Sequence, residues 1–248
     1  MARIVITGAT AGIGRELALQ YATEQGPACV LGLVGRRAER LEEVAAAARA
    51  KGATVHLFPA DVGDRAAMAD VARAFLERAG GADLVIANAG VAGPDRLSRG
   101  DAAALADVIH VNVNGVIHTL LPFVPAMKEA GAGHLVAVAS VAGFRALPGH
   151  ATYCASKIAV RTLLDGWGYD LNRWGIRTSV VCPGFVKSEM TADNEFPMPF
   201  MLETDDAVRR IRRAIRRGRR QFVFPLPMAL FARLLGWLPR FVLRRLPR

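Results

Sequence analysis

Seven short apolar runs, alternating with segments of helical character, constrain this chain more than any single motif. RIVIT (3–7), ACVLGLV (28–34), TVHLF (54–58), DLVIA (83–87), HLVAVAS (134–140), RTSVVC (177–182) and QFVF (221–224) each read as a strand. They are apolar at successive rather than alternate positions, the pattern of strands covered on both faces. Segments rich in helix formers lie between them, at 14–25, 36–52, 64–79, 101–130, 152–174 and 205–217. Strand–helix alternation with right-handed crossovers predicts a doubly wound, Rossmann-type α/β fold: a parallel sheet with helices on both faces. A length of 248 residues fits one such domain, and a 52% hydrophobic content supplies its core. No repeat or low-complexity linker interrupts it, so residues 1–224 form the domain and 225–248 a C-terminal helical extension.

Charge is unevenly placed. Of 32 Lys and Arg, 13 fall after residue 204, against 2 of the 22 Asp and Glu. The net charge of +10 therefore belongs to the C-terminal segment, and the body is close to neutral. Cys29, Cys154 and Cys182 form no CxxC pair, so neither a disulfide framework nor a metal site is expected, and a reducing cytoplasm fits. The opening MARIVITGAT enters a strand at once, without the pattern of a signal peptide. No uninterrupted apolar run reaches the roughly 18 residues of a membrane span, so none is expected.

TGATAGIGREL (7–17) joins the first strand to the first helix. Gly8, Gly12 and Gly14 let the backbone turn tightly and approach a pyrophosphate at the helix N-terminus. A Gly-rich turn without ligand would look the same in isolation; its place in the first βαβ unit favours the ligand. The second strand ends at Gly35, Arg36 and Arg37, without the carboxylate that binds the ribose hydroxyl of NAD. Guanidinium groups suit a 2′-phosphate, and Arg15 could help from the other side, so NADP(H) is the expected cofactor.

YCASK (153–157) places Tyr153 and Lys157 on one helical face, with Ser140 at the end of the fifth strand and Asn112 in the preceding long helix. Strand carboxyl ends are where ligands sit in open parallel sheets. Tyrosine titrates near 10, and bringing it to about 7 needs roughly 4 kcal/mol of anion stabilisation. A lysine ammonium about 4 Å away supplies up to that order. Tyr153 could then exchange a proton with a substrate oxygen, hydrogen-bonded by Ser140, while hydride moves at a nicotinamide.

With these motifs in family order, together with ADV (60–62), ANAG (87–90), NVNG (112–115), ASVAG (139–143) and CPGFVKSEM (182–190), the chain resembles the short-chain dehydrogenase/reductase family. The resemblance implies a seven-stranded parallel sheet and a Ser140, Tyr153, Lys157 triad, with Asn112 holding a water in a relay to Lys157. It places Thr10 and Ile13 with the glycines of the cofactor turn. Asp61 and Val62 would flank the adenine, and Asn88, Ala89 and Gly90 would steady the central strands beside the cofactor. Lys157 would bind the nicotinamide ribose. Pro183, Gly184, Val186 and Ser188 would face the nicotinamide end. Ala87 stands where Asn is frequent in the family, and Ser188 where Thr is frequent. Homodimers or homotetramers packed through the helices around 101–130 and 151–172 are implied as well.

FVKSEMTADNEFPMPFMLE (185–203) carries Met190, Phe196, Met198, Phe200, Met201 and Leu202. It reads either as a lid over an apolar carbonyl or alcohol substrate or as plain packing against the tail. Phe144, Arg145, His150 and Cys154 are candidate pocket walls, although a histidine at a helix start also suits solvent. In 205–217, Val208, Ile211, Ala214 and Ile215 form one helical face and the arginines the other. That is a cationic helix packed on the sheet, and no nucleic-acid partner is expected. The extension 225–248 mixes Leu, Phe and Trp237 with Arg233, Arg240, Arg244, Arg245 and Arg248, broken by prolines. It suits peripheral contact with a membrane surface, or a cap over the substrate mouth or a partner subunit. The main reading is an NADP(H)-dependent oxidoreductase interconverting an alcohol and a ketone or aldehyde. The alternatives are a non-catalytic dinucleotide-binding sensor or scaffold, and a peripheral membrane adaptor working through the tail.

Overall fold

The computed structural model describes residues 2–192 and 197–235, with side chains as far as residue 230. The seven expected strands form one parallel sheet: β1 (Ala2–Thr7), β2 (Cys29–Gly35), β3 (Thr54–Pro59), β4 (Leu84–Ala87), β5 (Gly133–Val138), β6 (Ile176–Pro183) and β7 (Gln221–Phe224), in the order β3-β2-β1-β4-β5-β6-β7. β1 lies inside the sheet, with Ile4 opposite Leu31 of β2 on one side and Leu84 of β4 on the other. The direction of strand addition reverses between β1 and β4, which leaves a crevice at their carboxyl ends.

Period-two geometry divides the apolar strands between two cores. Ile4 and Ile6 face one layer with Leu17, Leu41 and Ile211, whereas Val5 and Val85 face the other with Phe75, Phe123 and Leu164. The first layer is covered by α1 (Gly12–Gln25), α2 (Ala38–Arg49) and α9 (Thr204–Arg216). The second is covered by α3 (Arg65–Ala79), by the helical stretch of α4 (Ala102–Ile109), α5 (Gly115–Leu120) and α6 (Val124–Glu129), and by α7 (Ala151–Leu171). A four-residue helix, α8 (Glu189–Ala192), follows β6, and α10 (Leu226–Leu235) follows β7. Local signals fix the ends of α3: the Asp64 carboxylate accepts from the backbone N–H groups of Ala66 and Ala67, and Gly80 closes the helix in the left-handed region.

The stretch from α4 to α6 departs from expectation in one respect. Ala102–Glu129 reaches a mean hydropathy of 1.3 over a helical length that could cross a membrane, although no run of it is uninterrupted. In this fold Val116, Leu120, Phe123 and Met127 turn inward, while 28% of the apolar window is buried in all. The sides of Ile109 and Leu121, with Ile158 of α7, are left partly exposed.

The arginine-rich α9 buries Val208, Ile211, Ala214 and Ile215, and four of the arginines on its cationic face are paired. Arg209 meets Asp205 at 2.6 Å, Arg210 meets Asp206 at 2.9 Å, and Arg212 and Arg216 meet Glu24 of α1. Residues 185–203 leave the sheet and return: a bridge joins Val186 to Leu202, and Lys187 N–H donates to the Leu202 carbonyl at 3.0 Å. Phe196 in this segment, and Trp237, Arg240, Arg244, Arg245 and Arg248 in the extension, lie outside the described residues.

Candidate active site

The turn after β1 is pressed against the end of β4. A Cβ on Gly8, whose φ is +66°, would lie 2.9 Å from Ala89 Cα; one on Gly14 would lie 2.2 Å from the Gly8 carbonyl oxygen and 2.6 Å from Asn88 Nδ2. Neither position accepts a side chain, and only bare backbone lets the turn pack this closely against the end of β4. Thr7 holds the other wall, its hydroxyl accepting from the N–H groups of Asn88 at 3.1 Å and Ala89 at 3.2 Å. The Gly12 Cβ position is 3.3 Å from Ser188 Cβ, so the segment after β6 reaches back to the same turn. Ile13 is half-buried, packed at the edge of the core, and Arg15 is exposed on the first turn of α1.

Arginines gather at the end of β2. Arg37 donates to Thr10 Oγ1 at 3.1 Å and to Glu189 of α8 at 3.2 and 3.3 Å, and Arg40 donates to the same carboxylate. Arg36 is 69% exposed, with a guanidinium nitrogen 3.7 Å from the Asp61 carboxylate. Asp61 also accepts from Gly63 N–H at 2.8 Å, and Val62 beside it is buried. Arg40 and Glu189 were not singled out in the sequence. Arg40 sits three residues from Arg37 in the first turn of α2, a spacing that could have pointed to it; Glu189 lies 152 residues away from Arg37.

At the end of β5 and the start of α7 the reacting candidates converge. Ser140 Oγ accepts from Ala142 N–H at 3.1 Å, and its hydroxyl is hydrogen-bonded to Tyr153. Lys157 Nζ lies 5.6 Å from the Tyr153 ring centroid and donates to the Val138 carbonyl at 3.2 Å. Asn112, fully buried within a π-helical turn (His110–Asn114), grips Val91 through both its amide atoms and donates to Ser156 Oγ at 3.0 Å. Such turns widen a helix locally, often at functional sites. Gly90 closes the group: a Cβ there would be 3.0 Å from Asn112 Oδ1 and 3.3 Å from Lys157 Nζ.

Burial governs the electrostatics. It raises the Tyr153 phenol above its ordinary value, and the Ser140 hydrogen bond pulls it back only in part. The lowering expected from Lys157 is therefore not what the protein itself imposes: both groups are desolvated, and the lysine is brought down to about 8 by burial. Tyr153 is thus held as a neutral phenol able to give a proton.

A third residue missed in the sequence anchors this corner. Asp95, in the loop after β4, accepts from Thr152 N–H at 3.0 Å, and its own N–H donates to the Gly149 carbonyl. It caps the first turn of α7 across 57 residues, at the residue before Tyr153 and five before Lys157. Of the candidate pocket walls, Phe144 is half-buried under the Arg161 guanidinium, His150 is half-buried, and Cys154 is fully buried. Pro183 and Val186 are buried, Gly184 N–H donates to the Phe224 carbonyl at 2.7 Å, and Ser188 sits beneath Thr191.

The short chain dehydrogenase family model matches residues 2–197. This chain belongs to that family. An uncharacterized oxidoreductase of Myxococcus xanthus is 42% identical over 95% of this chain and 92% of its own length. A short-chain dehydrogenase/reductase of Burkholderia phymatum, solved in complex with NAD, superposes with a TM-score of 0.86 at 29% identity, covering 100% of this chain and 96% of its own. A short-chain dehydrogenase of Sphingobium yanoikuyae, solved with NADPH, gives 0.84 at 25% identity over 100% and 97%. The short-chain dehydrogenase fold and oxidoreductase class of this chain follow.

Proposed function

We propose that this short-chain dehydrogenase is an NADP(H)-dependent oxidoreductase that interconverts an apolar ketone or aldehyde with its alcohol. The observation that carries the reading is the meeting of Ser140, Tyr153 and Lys157 beside the glycine turn. The residues fit a dinucleotide, since Gly8 and Gly14 let the turn fold tightly against the end of β4 where any Cβ would collide, and the turn leads into the N-terminus of α1. Thr10, Gly12, Ile13, Asp61, Asn88, Ala89, Gly90 and Ser188 would line it. When bound, the nicotinamide supplies or accepts the hydride. Ser140 would hydrogen-bond the substrate oxygen, and Tyr153 would hand it a proton from its neutral hydroxyl. Lys157, with its ammonium present below its pKa of about 8, would stabilise the phenolate left behind and hold the ribose. Asn112 would fix the loop after β4 through Val91 and support a water relayed to Lys157.

Arg36, Arg37 and Arg40 at the end of β2 support a 2′-phosphate over a free ribose hydroxyl, and the first turn of α2 adds its dipole. Exposed Met190, Phe200 and Met201 favour an apolar substrate under segment 185–203. Absorbance at the reduced nicotinamide band during a screen of aliphatic, aromatic and polycyclic carbonyls tests the reading. NADPH-dependent turnover of at least one apolar carbonyl is expected; binding of NADPH with no turnover of any would favour the non-catalytic sensor. A second copy packed on the partly exposed Ile109, Leu121 and Ile158 would account for that apolar side as a homodimer or homotetramer.

The extension supports a peripheral membrane role at the cytoplasmic face. Leu226 and Leu230 of α10 stand exposed one helical turn apart, while Met228 and Ala229 turn inward. The residues that follow, 231–248, contain five arginines and no acidic residue, the complement of an anionic lipid surface. Full-length protein should co-sediment with phosphatidylglycerol vesicles and be released by high salt, and truncation at 225 should abolish it. Absence of binding by the full chain removes the membrane role and leaves the cap.

A further inference from the structure

Arg37 and Arg40 already hold a carboxylate. Glu189 receives two hydrogen bonds from Arg37 and another from Arg40, although it belongs to α8 in the segment that follows β6. Three elements meet there: the glycine turn through Thr10, the arginine pair of β2–α2, and the opening of segment 185–203. A 2′-phosphate at the end of β2 would need the same guanidinium donors. Arginine has five N–H donors, and three of those of Arg37 are directed to Glu189 and Thr10.

We infer that Glu189 is a specificity-determining residue for the cofactor: an internal anion that competes with the 2′-phosphate for Arg37 and Arg40. The inference rests on the NADP(H) reading of those arginines. When the phosphate enters, the carboxylate either leaves the guanidinium groups or stays beside a dianion; both weaken NADP(H) binding. A nucleotide with a free 2′-hydroxyl asks nothing of the pair, so Glu189 stays in place and its presence costs nothing. Glu189 therefore narrows the preference for the phosphorylated cofactor, and it ties the choice of nucleotide to the segment over the substrate. The Arg40 and Arg37 guanidinium groups lower the Glu189 carboxyl below its ordinary range, so the competing anion is present at neutral pH.

The control residue is Glu203, at the other end of the same segment, which pairs with Lys187 at 3.2 Å and touches none of these arginines. Dissociation constants for NADPH, NADH and 2′-AMP would be measured by nucleotide fluorescence and calorimetry on wild type, Glu189→Gln and Glu203→Gln. Exposed ion pairs carry modest energies, so Glu189→Gln is expected to bind NADPH and 2′-AMP about fivefold more tightly, with NADH changed by less than about twofold. Glu203→Gln should leave all three within about twofold. Unchanged or weaker NADPH binding by Glu189→Gln overturns the inference, as does an equal gain in Glu203→Gln, which would mean bulk charge alone. A wild type that binds NADH more tightly than NADPH, with no affinity for 2′-AMP, overturns the cofactor reading itself and the role of Glu189 with it.

Discussion

Two sets of cations flank one crevice and are built in opposite ways. Lys157 is 5% exposed, donates to the Val138 carbonyl, and is shifted by burial to about 8. Arg36, Arg37 and Arg40 are exposed and held by carboxylates on other elements: Asp61 after β3 and Glu189 on α8. Burial makes the first costly and fixes its place, since an ammonium out of water cannot change partners cheaply. Exposure makes the second set cheap and exchangeable, since water screens every pair. The buried cation suits proton chemistry, where geometry must not wander. The exposed ones suit selection between ligands that differ by a phosphate.

The largest expected effect comes from removing the buried cation. Lys157→Met should lower turnover by about a thousandfold, the scale of a lost acid–base partner. The same variant should be more stable than wild type at pH 7. A shift from an ordinary 10.5 to about 8 corresponds to roughly 3 kcal/mol of penalty, and leaving the Val138 carbonyl without a donor returns about 1, for a net gain of about 2 kcal/mol. Because the folded value is the lower one, the unfolded chain binds the extra proton between pH 8 and 10.5, and wild-type stability rises with pH across that window. The advantage of Lys157→Met should shrink there, as read by urea titration at several pH values. A variant destabilised at pH 7 would mean that the ammonium is well satisfied.

The exposed set should respond more weakly and with salt. Arg37→Ala should raise the NADPH dissociation constant about tenfold and leave NADH nearly unchanged, with the gap narrowing in high salt. Arg36→Ala, which removes the more solvated partner of Asp61, should cost about threefold. Neither should move the unfolding midpoint appreciably. Equal losses for NADPH and NADH would erase the distinction between the two sets.

Much of the sheet could be read from the chain because its strands are continuously apolar and its turns are marked by glycine. RIVIT, followed by the turn of Gly8 and Gly14, could hardly lie anywhere but at the switch point. Tyr153 and Lys157 were readable as a pair by their spacing on one helix. The direction of the Tyr153 shift was not, because desolvation belongs to the packed site and no local pattern encodes it. Asp95 and Glu189 escaped for a related reason: each acts on a residue 57 or 152 positions away, and a lone carboxylate in a loop carries no signature of its target. The membrane-like hydropathy of Ala102–Glu129 was missed because a helical stretch can be apolar on average while polar residues interrupt it.

In the proposed reaction the Tyr153 hydroxyl passes a proton to the substrate oxygen beside a bound nicotinamide. Single-turnover oxidation of bound NADPH by a carbonyl substrate, compared between wild type and Tyr153→Phe, tests it most directly. The variant is expected to bind NADPH with wild-type affinity and to transfer hydride about a thousandfold more slowly. Hydride transfer at the wild-type rate in the variant would contradict it.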